Sequence, residues 1–227
     1  MAEEKRKELN EMIRYIINKW MKLKEAELVN QIQKIQTIRL DQEEDELVEV
    51  DNPTDLPLLS KYEKYAVFRL DENRCIMIFA KEGYAEREYE NRRLVAEKGI
   101  SFGVYEWGKN YVVTDYLEAT SLLEYLKSHT MTRDLVEKMI QLLDDLDGAG
   151  FMTNQAPEDI LILSDGKLKV GNLKKNYTGK RPFPKKLLKG LGDNTNTFLQ
   201  YMLEMDKARY EEWSRLPEFL ESVQSKE

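Results

Sequence analysis

The sequence contains a single cysteine, Cys75, and a single histidine, His129. One thiol cannot form a disulfide within the chain. One thiol and one imidazole cannot supply the nitrogen and sulfur ligands that zinc and iron sites use. We therefore expect no disulfide framework and no bound metal or other cofactor, and any metal would have to sit on oxygen ligands.

Long uncharged apolar runs are also missing, and the first six residues carry both signs of charge. A membrane span needs about 18 or more consecutive apolar residues, and a secretory signal needs a basic start before an apolar stretch. We therefore expect a cytoplasmic protein with no membrane partner. With 227 residues, 41% of them hydrophobic and 34% charged, the chain is expected to form one sizeable core with an appendage.

The formal net charge is −7, but it is unevenly distributed. Residues 41–49 are mostly acidic, whereas residues 174–189 contain seven basic side chains and no acidic one. An acidic total argues against nucleic-acid binding by the whole surface. The basic stretch interleaves with Tyr177 and Phe183, a combination that suits phosphate contact and base stacking, so a local nucleic-acid contact is an alternative function.

Residues 3–40 contain neither proline nor glycine, and their apolar side chains recur every three or four residues. This spacing predicts one long amphipathic helix or a helical pair. Its apolar stripe either packs on the rest of the chain or pairs with a second copy or another protein. The acidic run 41–46 and residues 51–55 are predicted to form a solvated linker, which places a domain boundary near residue 53.

Beyond residue 53 the pattern first predicts strands and then helices. Strands are predicted over 65–70, 74–79, 102–107 and 111–115, with a helix over 84–98 between the second and third. Helices over 121–128 and 132–146 follow, then two strands turning at Ser164-Asp-Gly166, a basic loop, and helices from about Asn194. The predicted fold class is α+β.

The segment Pro157-Glu158-Asp159-Ile-Leu-Ile, followed by Asp165-Gly166 and Lys167-Leu-Lys-Val170 and preceded by a helix that ends in Gly148-Ala-Gly150, resembles the catalytic centre of a protein kinase. The order of elements over about residues 56–205 is similar to the same family. The resemblance implies a bilobal kinase-like fold with an N-terminal helical extension and acidic linker (1–52), an N-lobe (53–117) and a reduced helical C-lobe (118–227). No Ala-Pro-Glu triplet closes an activation segment, so the C-lobe is expected to be truncated.

The chemistry-bearing positions of that family are substituted here. The three glycines of the phosphate loop fall on Ser60, Tyr62 and Tyr65, and the phosphate-binding lysine falls on Met77, with Lys81 too far along to replace it. The partner glutamate is Glu90, which is expected to pair instead with Arg93 or Arg87. The general base falls on Asn154, the second-metal asparagine on Asp159 and the principal Mg²⁺ ligand on Asn172. An amide cannot accept the proton of a substrate hydroxyl, so phosphoryl transfer is not expected.

An adenine slot depends on backbone groups and apolar walls, so it can persist without phosphate chemistry. The resemblance places such a vestigial slot at Cys75, Thr114, Asp115, Leu117 and Leu161. Cys75 is expected to be buried in it rather than nucleophilic. Residual nucleotide binding or atypical kinase activity is therefore an alternative hypothesis.

The resemblance as a whole implies a pseudokinase that acts as a protein-binding scaffold or regulator. The partner is expected to be another protein, either an active kinase or an acidic or phosphorylated protein, and the N-terminal helix offers a route to self-association. The candidate interaction residues are Lys174, Lys175, Lys180, Arg181, Lys185 and Lys186.

Overall fold

The computed structural model describes residues 26–38, 47–173 and 182–224, and in these ranges the chain has a mixed α+β fold built on antiparallel sheets. The strands are β1 (Gln36–Ile38), β2 (Glu49–Asp51), β3 (Leu58–Lys61), β4 (Tyr65–Arg69), β5 (Arg74–Phe79), β6 (Val104–Trp107), β7 (Tyr111–Asp115), β8 (Ala119–Ser121), β9 (Ile160–Leu163) and β10 (Leu168–Val170). The helices are α1 (residues 26–32), α2 (Tyr84–Ala96), α3 (Leu122–Tyr125), α4 (Arg133–Gly148), α5 (Lys185–Gly190), α6 (Asn194–Met205), α7 (Lys207–Ser214) and α8 (Pro217–Gln224).

The largest sheet has five strands in the order β3-β4-β5-β7-β6. Alternation along β5 sends Ile76 and Ile78 to one face and Cys75, Met77 and Phe79 to the other, and both sets are buried. Both faces of the sheet are therefore covered. The predicted strands 74–79 and 111–115 are confirmed at both ends, and the predicted strands 65–70 and 102–107 are confirmed with slightly shorter bounds.

One face is covered by the segment that precedes the sheet in the chain. Ile32, Ile35 and Val48 are buried against a cluster that includes Phe68 and Ile78. The Thr37 hydroxyl donates a hydrogen bond of 3.1 Å to the Ile78 carbonyl and so ties β1 to β5. In this part of the chain, the apolar stripe packs on the protein's own sheet.

The prediction of helix over residues 3–40 is wrong for the stretch that follows residue 32. There α1 ends, and residues 36–38 form β1, which pairs antiparallel with β2. The β-branched pair Thr37 and Ile38 suits this strand, and a ladder with a distant segment outweighs the local helical period. Residues 3–25 and 39–40 lie outside the described ranges.

The predicted linker is only partly within the described ranges, because residues 41–46 lie outside them. Asp51 belongs to β2 rather than to a linker. Asn52 then organises a turn by accepting hydrogen bonds from the amide and the hydroxyl of Thr54. The domain boundary near residue 53 stays a prediction, and Val48 on its N-terminal side packs into the core of the five-stranded sheet.

The other face of the sheet packs against α2. Ala85 of this helix joins Tyr65, Met77, Phe79 and Val112 in one cluster. The helix ends at Ala96, two residues before the predicted end, and the chain turns at Gly99 with φ +75°, a conformation that favours glycine. This placement brings α2 alongside the strand residues that line the candidate site.

The rest of the chain is mainly helical. Thr132 caps α4 by accepting from the Leu135 amide, and the apolar face of α4 packs into a core with α6, Trp213 and Phe219. A three-stranded sheet, β10-β9-β8, lies beside it, and the predicted strand turn is confirmed with φ +75° at Gly166. The predicted basic loop 174–189 is wrong for residues 185–189, which are part of α5. Within the described ranges, no helix is long and apolar enough to cross a membrane.

Candidate functional site

Two cavities lie between the five-stranded sheet and the segment around β9 and β10. The small cavity, about 230 Å³, is bordered by β4, β5, β7 and β9, and the large cavity, about 620 Å³, by the β3–β4 turn, α2 and residues 152–173. Tyr62 and Tyr65 belong to the walls of both. The tyrosine pair therefore separates the two spaces.

The small cavity brings together all five residues of the predicted slot: Cys75, Thr114, Asp115, Leu117 and Leu161. The Cys75 sulfur and the Thr114 hydroxyl share a hydrogen bond of 3.2 Å, and the Cys75 thiol also donates to the Asp115 carbonyl at 3.4 Å. Burial raises the pKa of the Cys75 thiol, more than the Thr114 hydrogen bond lowers it. The prediction that Cys75 is buried is confirmed, and its thiol is protonated at neutral pH.

The tyrosine pair occupies the turn where the resemblance expects a glycine-rich loop. The two rings stack with centroids 4.7 Å apart, and the Tyr62 amide donates to the Tyr65 carbonyl at 2.8 Å. Tyr65 also packs on Phe79 and is buried, which raises the pKa of its phenol well above the usual value. Ser60, the remaining glycine position, lies on β3 opposite Val67. Aromatic rings thus fill the space beside this turn.

Met77 lies at the centre of β5, opposite Val67 on one side and Val112 on the other. Only 3% of its surface is exposed, and its neighbours are apolar. The position expected to carry a phosphate-binding lysine is therefore part of the core. Lys81 lies beyond the end of β5 and is exposed.

Arg92 is the principal cation of the site, and sequence reasoning missed it. Its guanidinium donates to Glu88 Oε1 at 2.7 Å, to Ser101 Oγ at 3.0 Å and to the Gly171 carbonyl at 2.6 Å. Burial lowers the pKa of Arg92, but Glu88, Tyr65 and Cys75 together raise it by more, so the group remains a cation. These bonds link α2 to Ser101, in the loop that precedes β6, and to Gly171, directly after β10.

Glu90, the position of the partner glutamate, points away from this network. It pairs with Arg93 at 3.0 Å, and both side chains are about half exposed. The predicted pairing with Arg93 is confirmed. The useful sequence signal was the four-residue spacing of Glu88 and Arg92, which permits an ion pair on one helix face but does not reveal that this face is buried.

Asn154, at the position of the general base, has a structural contact. Its side-chain carbonyl accepts a hydrogen bond of 2.6 Å from the Lys186 amide in the first turn of α5. That amide has no acceptor within the helix, so the side chain acts as a cap from a distant loop. The neighbouring Gln155 donates to the Met152 carbonyl at 2.6 Å, which fixes the same loop.

Asp159 and Asn172 both lie at the base of the β9–β10 hairpin, and both line the large cavity. The Asp159 amide donates to Ala156, and its carbonyl accepts from the Gly171 amide at 2.9 Å, so its backbone closes a turn and the hairpin. In the described ranges, no group of three or more histidine, cysteine or carboxylate side chains is placed to hold a metal ion.

The predicted interaction residues divide into two sets. Lys185 and Lys186 lie in α5, and Lys186 also lines the large cavity. Lys174, Lys175, Lys180 and Arg181 lie outside the described residues.

A scan against protein-family models and a search of curated proteins found no match to this chain.

Proposed function

We propose that this protein is a catalytically inactive kinase-like protein, a pseudokinase, that acts by binding another protein as a scaffold or regulator. One observation carries the proposal: side chains at positions that resemble catalytic ones are used to build the fold. Met77 is a core residue, and the Asn154 amide caps α5. A group engaged in this way is not available to a nucleotide or a substrate.

The arrangement of elements supports the same proposal. A five-stranded antiparallel sheet with one packed helix precedes a mainly helical part, and a short hairpin, β9–β10, lies at their junction. We propose that these parts are the N-lobe, residues 53–117, and a reduced C-lobe, residues 118–227, of a bilobal kinase-like fold.

The loss of catalytic rate can be estimated from the chemistry of phosphoryl transfer. General-base catalysis contributes about 10²–10⁴ in rate, and stabilisation of developing charge contributes a further factor of about 10²–10³ for a single donor. Asn154 cannot act as the base, and Met77 cannot stabilise phosphate charge. Arg92 cannot easily take over the second role, because Glu88 already neutralises its guanidinium. We therefore expect no phosphoryl transfer above background.

Binding to another protein is the role that remains for a kinase-like fold without catalytic activity. We propose an active kinase or an acidic or phosphorylated protein as the partner, with the basic residues of 174–189 as the contact. Self-association through the N-terminal segment and a nucleic-acid contact through the basic residues are the competing proposals. A contact that depends on phosphate recognition should weaken steeply as salt is raised.

A thermal-shift titration tests the proposal directly. Purified protein is heated with millimolar ATP or ADP, with and without Mg²⁺ or Mn²⁺. A ligand at one hundred times its Kd would add about 2.7 kcal/mol to the free energy of unfolding and raise the Tm visibly. We expect no shift. A metal-dependent shift, or phosphate release above background, would contradict the proposal.

Residual nucleotide binding is the second candidate, and one observation favours it. The five residues of the predicted slot line one cavity, so a nucleoside has a place to enter. This alternative predicts that ADP and adenosine stabilise the protein without metal, because the base rather than the phosphates would supply the affinity.

A further inference from the structure

The wall of the small cavity contains an arginine with unused donors. A guanidinium has five N–H groups, and three of those of Arg92 donate to Glu88, Ser101 and Gly171. The described part of the chain supplies no acceptor for the other two. Arg92 is only 2% exposed, and buried donors are nearly always paired. The arginine therefore offers hydrogen bonds to a molecule inside the cavity that it lines.

The remaining walls of the small cavity are mostly apolar. Val67, Met77, Phe102 and Leu161 come from three strands and the turn before β6. Apolar walls with a few placed polar groups are typical of sites for small molecules. The volume of about 230 Å³ suits a molecule of one or two rings rather than a peptide or a nucleotide with its phosphates.

The charged side chains around the small cavity disfavour an ionic ligand. The Glu88 carboxylate lies 2.7 Å from Arg92 and balances its charge. Asp115 lines the same cavity, and Asp159 borders the adjoining large cavity. Of these three acidic residues only Asp115 lines the small cavity, so an anion there would meet its negative charge, whereas a cation would meet the guanidinium. A neutral acceptor can use the two N–H groups without either penalty.

We propose that the small cavity binds a small, uncharged, planar molecule that carries a carbonyl or similar acceptor, held by Arg92 in the cavity wall and by the apolar strand residues around its ring. The proposal rests on the proposed function only in that the cavity serves no catalytic nucleotide. Since Arg92 also holds Gly171 after β10, the bound molecule connects α2 with the β9–β10 hairpin. Binding would stabilise this junction and make the scaffold responsive to a ligand.

The test uses benzamide and the fused-ring analogue 1-isoquinolinone as neutral acceptors, with benzoate and benzylamine as anionic and cationic counterparts. Binding is followed by two-dimensional amide NMR of the full chain. We expect the two neutral probes to shift the amide signals of Cys75, Thr114 and Leu161, and both charged probes to bind at least about tenfold more weakly. Benzylamine offers no acceptor to Arg92, and one hydrogen bond to a charged donor is worth about that factor. Benzoate keeps its acceptors, but Glu88 already balances the charge of Arg92 and the Asp115 carboxylate opposes a second anion. Equal binding of all four probes, or no binding of either neutral probe, overturns the proposal.

Three variants locate the site. Arg92→Met removes the donors, and Arg93→Met, one residue along on the exposed face, is the matched control and should bind as the unmodified chain does. Because Arg92→Met can destabilise the fold, Val67→Phe provides an independent test: it leaves Arg92 in place and fills the cavity. Benzamide binding that persists in Val67→Phe, or in folded Arg92→Met, contradicts the proposal.

Titrations with nucleotides distinguish a failure of this inference from a failure of the proposed function. Metal-dependent stabilisation by ATP contradicts the inactive scaffold, whatever benzamide does. Failure of the neutral probes without any nucleotide effect removes only the inference. Adenosine binding of equal strength in the unmodified chain and in folded Arg92→Met would assign the cavity to a base held by strand backbone, and so would overturn recognition through Arg92.

Discussion

Helix α2 carries two glutamate–arginine pairs that differ in their surroundings. Glu88 and Arg92 are four residues apart, and their side chains are 14% and 3% exposed; Glu90 and Arg93 are three apart, and their side chains are 51% and 53% exposed. The helical period places the first pair against the β9–β10 hairpin and the second in water. Similar chemistry on one helix therefore serves two purposes, of which only the first connects distant parts of the chain.

The energetic consequences follow from burial. Removing charge from water is costly, and the Ser101 hydroxyl and the Gly171 carbonyl add two hydrogen bonds to the ion pair of Arg92 with Glu88. An exposed pair gains little, because water screens the attraction and the long side chains lose freedom. The comparison predicts a large effect of breaking the first pair and a small effect of breaking the second.

Replacing Arg92 by methionine is expected to have the largest effect. The change leaves Glu88 with a mostly buried carboxylate and no cation, so the free energy of unfolding should fall by about 3–5 kcal/mol. Arg93→Met, the matched control, should leave stability almost unchanged. Urea unfolding followed by circular dichroism measures both.

The double variant Glu88→Gln/Arg92→Met checks the reason for this loss. If the uncompensated carboxylate is responsible, the second substitution should recover part of the stability lost by Arg92→Met. Equal losses in Arg92→Met and Arg93→Met would show that the two pairs are equivalent and would remove the basis of the comparison.

Ser101 tests whether the buried pair needs its additional acceptor. Its hydroxyl accepts from Arg92 and donates to the Val170 carbonyl at 3.3 Å, and the side chain is buried. Ser101→Ala leaves one more guanidinium N–H without an acceptor, so a loss of about 1–3 kcal/mol is expected. Ser214→Ala is the control, since that serine donates to Glu211 on an exposed helix. Matching losses in the two variants would argue against a coupled network.

Asn154 extends the comparison to a buried polar group without a formal charge. Asn154→Ala removes the acceptor of the Lys186 amide and should cost about 1 kcal/mol, as the loss of a helix cap does. Asn154→Asp keeps the acceptor and should retain more stability than alanine. If the proposed function is right, the aspartate variant also transfers no phosphate above background, because Met77 remains. Activity in Asn154→Asp would show that the base alone was missing.

Much of the sheet could be predicted from sequence, because its strands have clear local signals. The strand signals over 65–70, 74–79 and 111–115 located β4, β5 and β7 within a residue. The helix predicted over 132–146 likewise began within one residue of the start of α4. These features depend on residues that are adjacent in the chain, so they can be recognised in the sequence.

The features that failed depend on distant contacts. Residues 36–38 follow a helical apolar period, yet they pair with β2 and bond to Ile78, which no local pattern reports. Arg92 has the same spacing to Glu88 that any surface pair has, and only the position of Gly171 shows its role. The five slot residues were grouped by resemblance, because they are separated by up to 86 positions in the chain and only the fold unites them.

Asp71 and Arg74 form a third acid–base pair, at the exposed turn between β4 and β5, and it offers the smallest and most pH-dependent effect. Partial burial raises the pKa of Asp71. Hydrogen bonds from the Arg74 side chain and from the amides of Asn73 and Arg74 lower it by more, so the pKa lies below its ordinary value of 3.8. A carboxyl with a depressed pKa in the folded state stabilises the protein above its unfolded pKa, and this stabilisation disappears as pH falls through the folded value.

Asp71→Asn should therefore reduce stability at pH 7 by less than Ser101→Ala does, since both side chains of the pair are more than 40% exposed. The difference from the unmodified chain should shrink as pH falls below about 4, and added salt should reduce it at pH 7. Urea midpoints of both proteins across this pH range measure the effect. A difference that stays constant with pH would contradict a contribution from the ionised carboxylate, because the asparagine amide still accepts the two backbone hydrogen bonds and only the charge is removed.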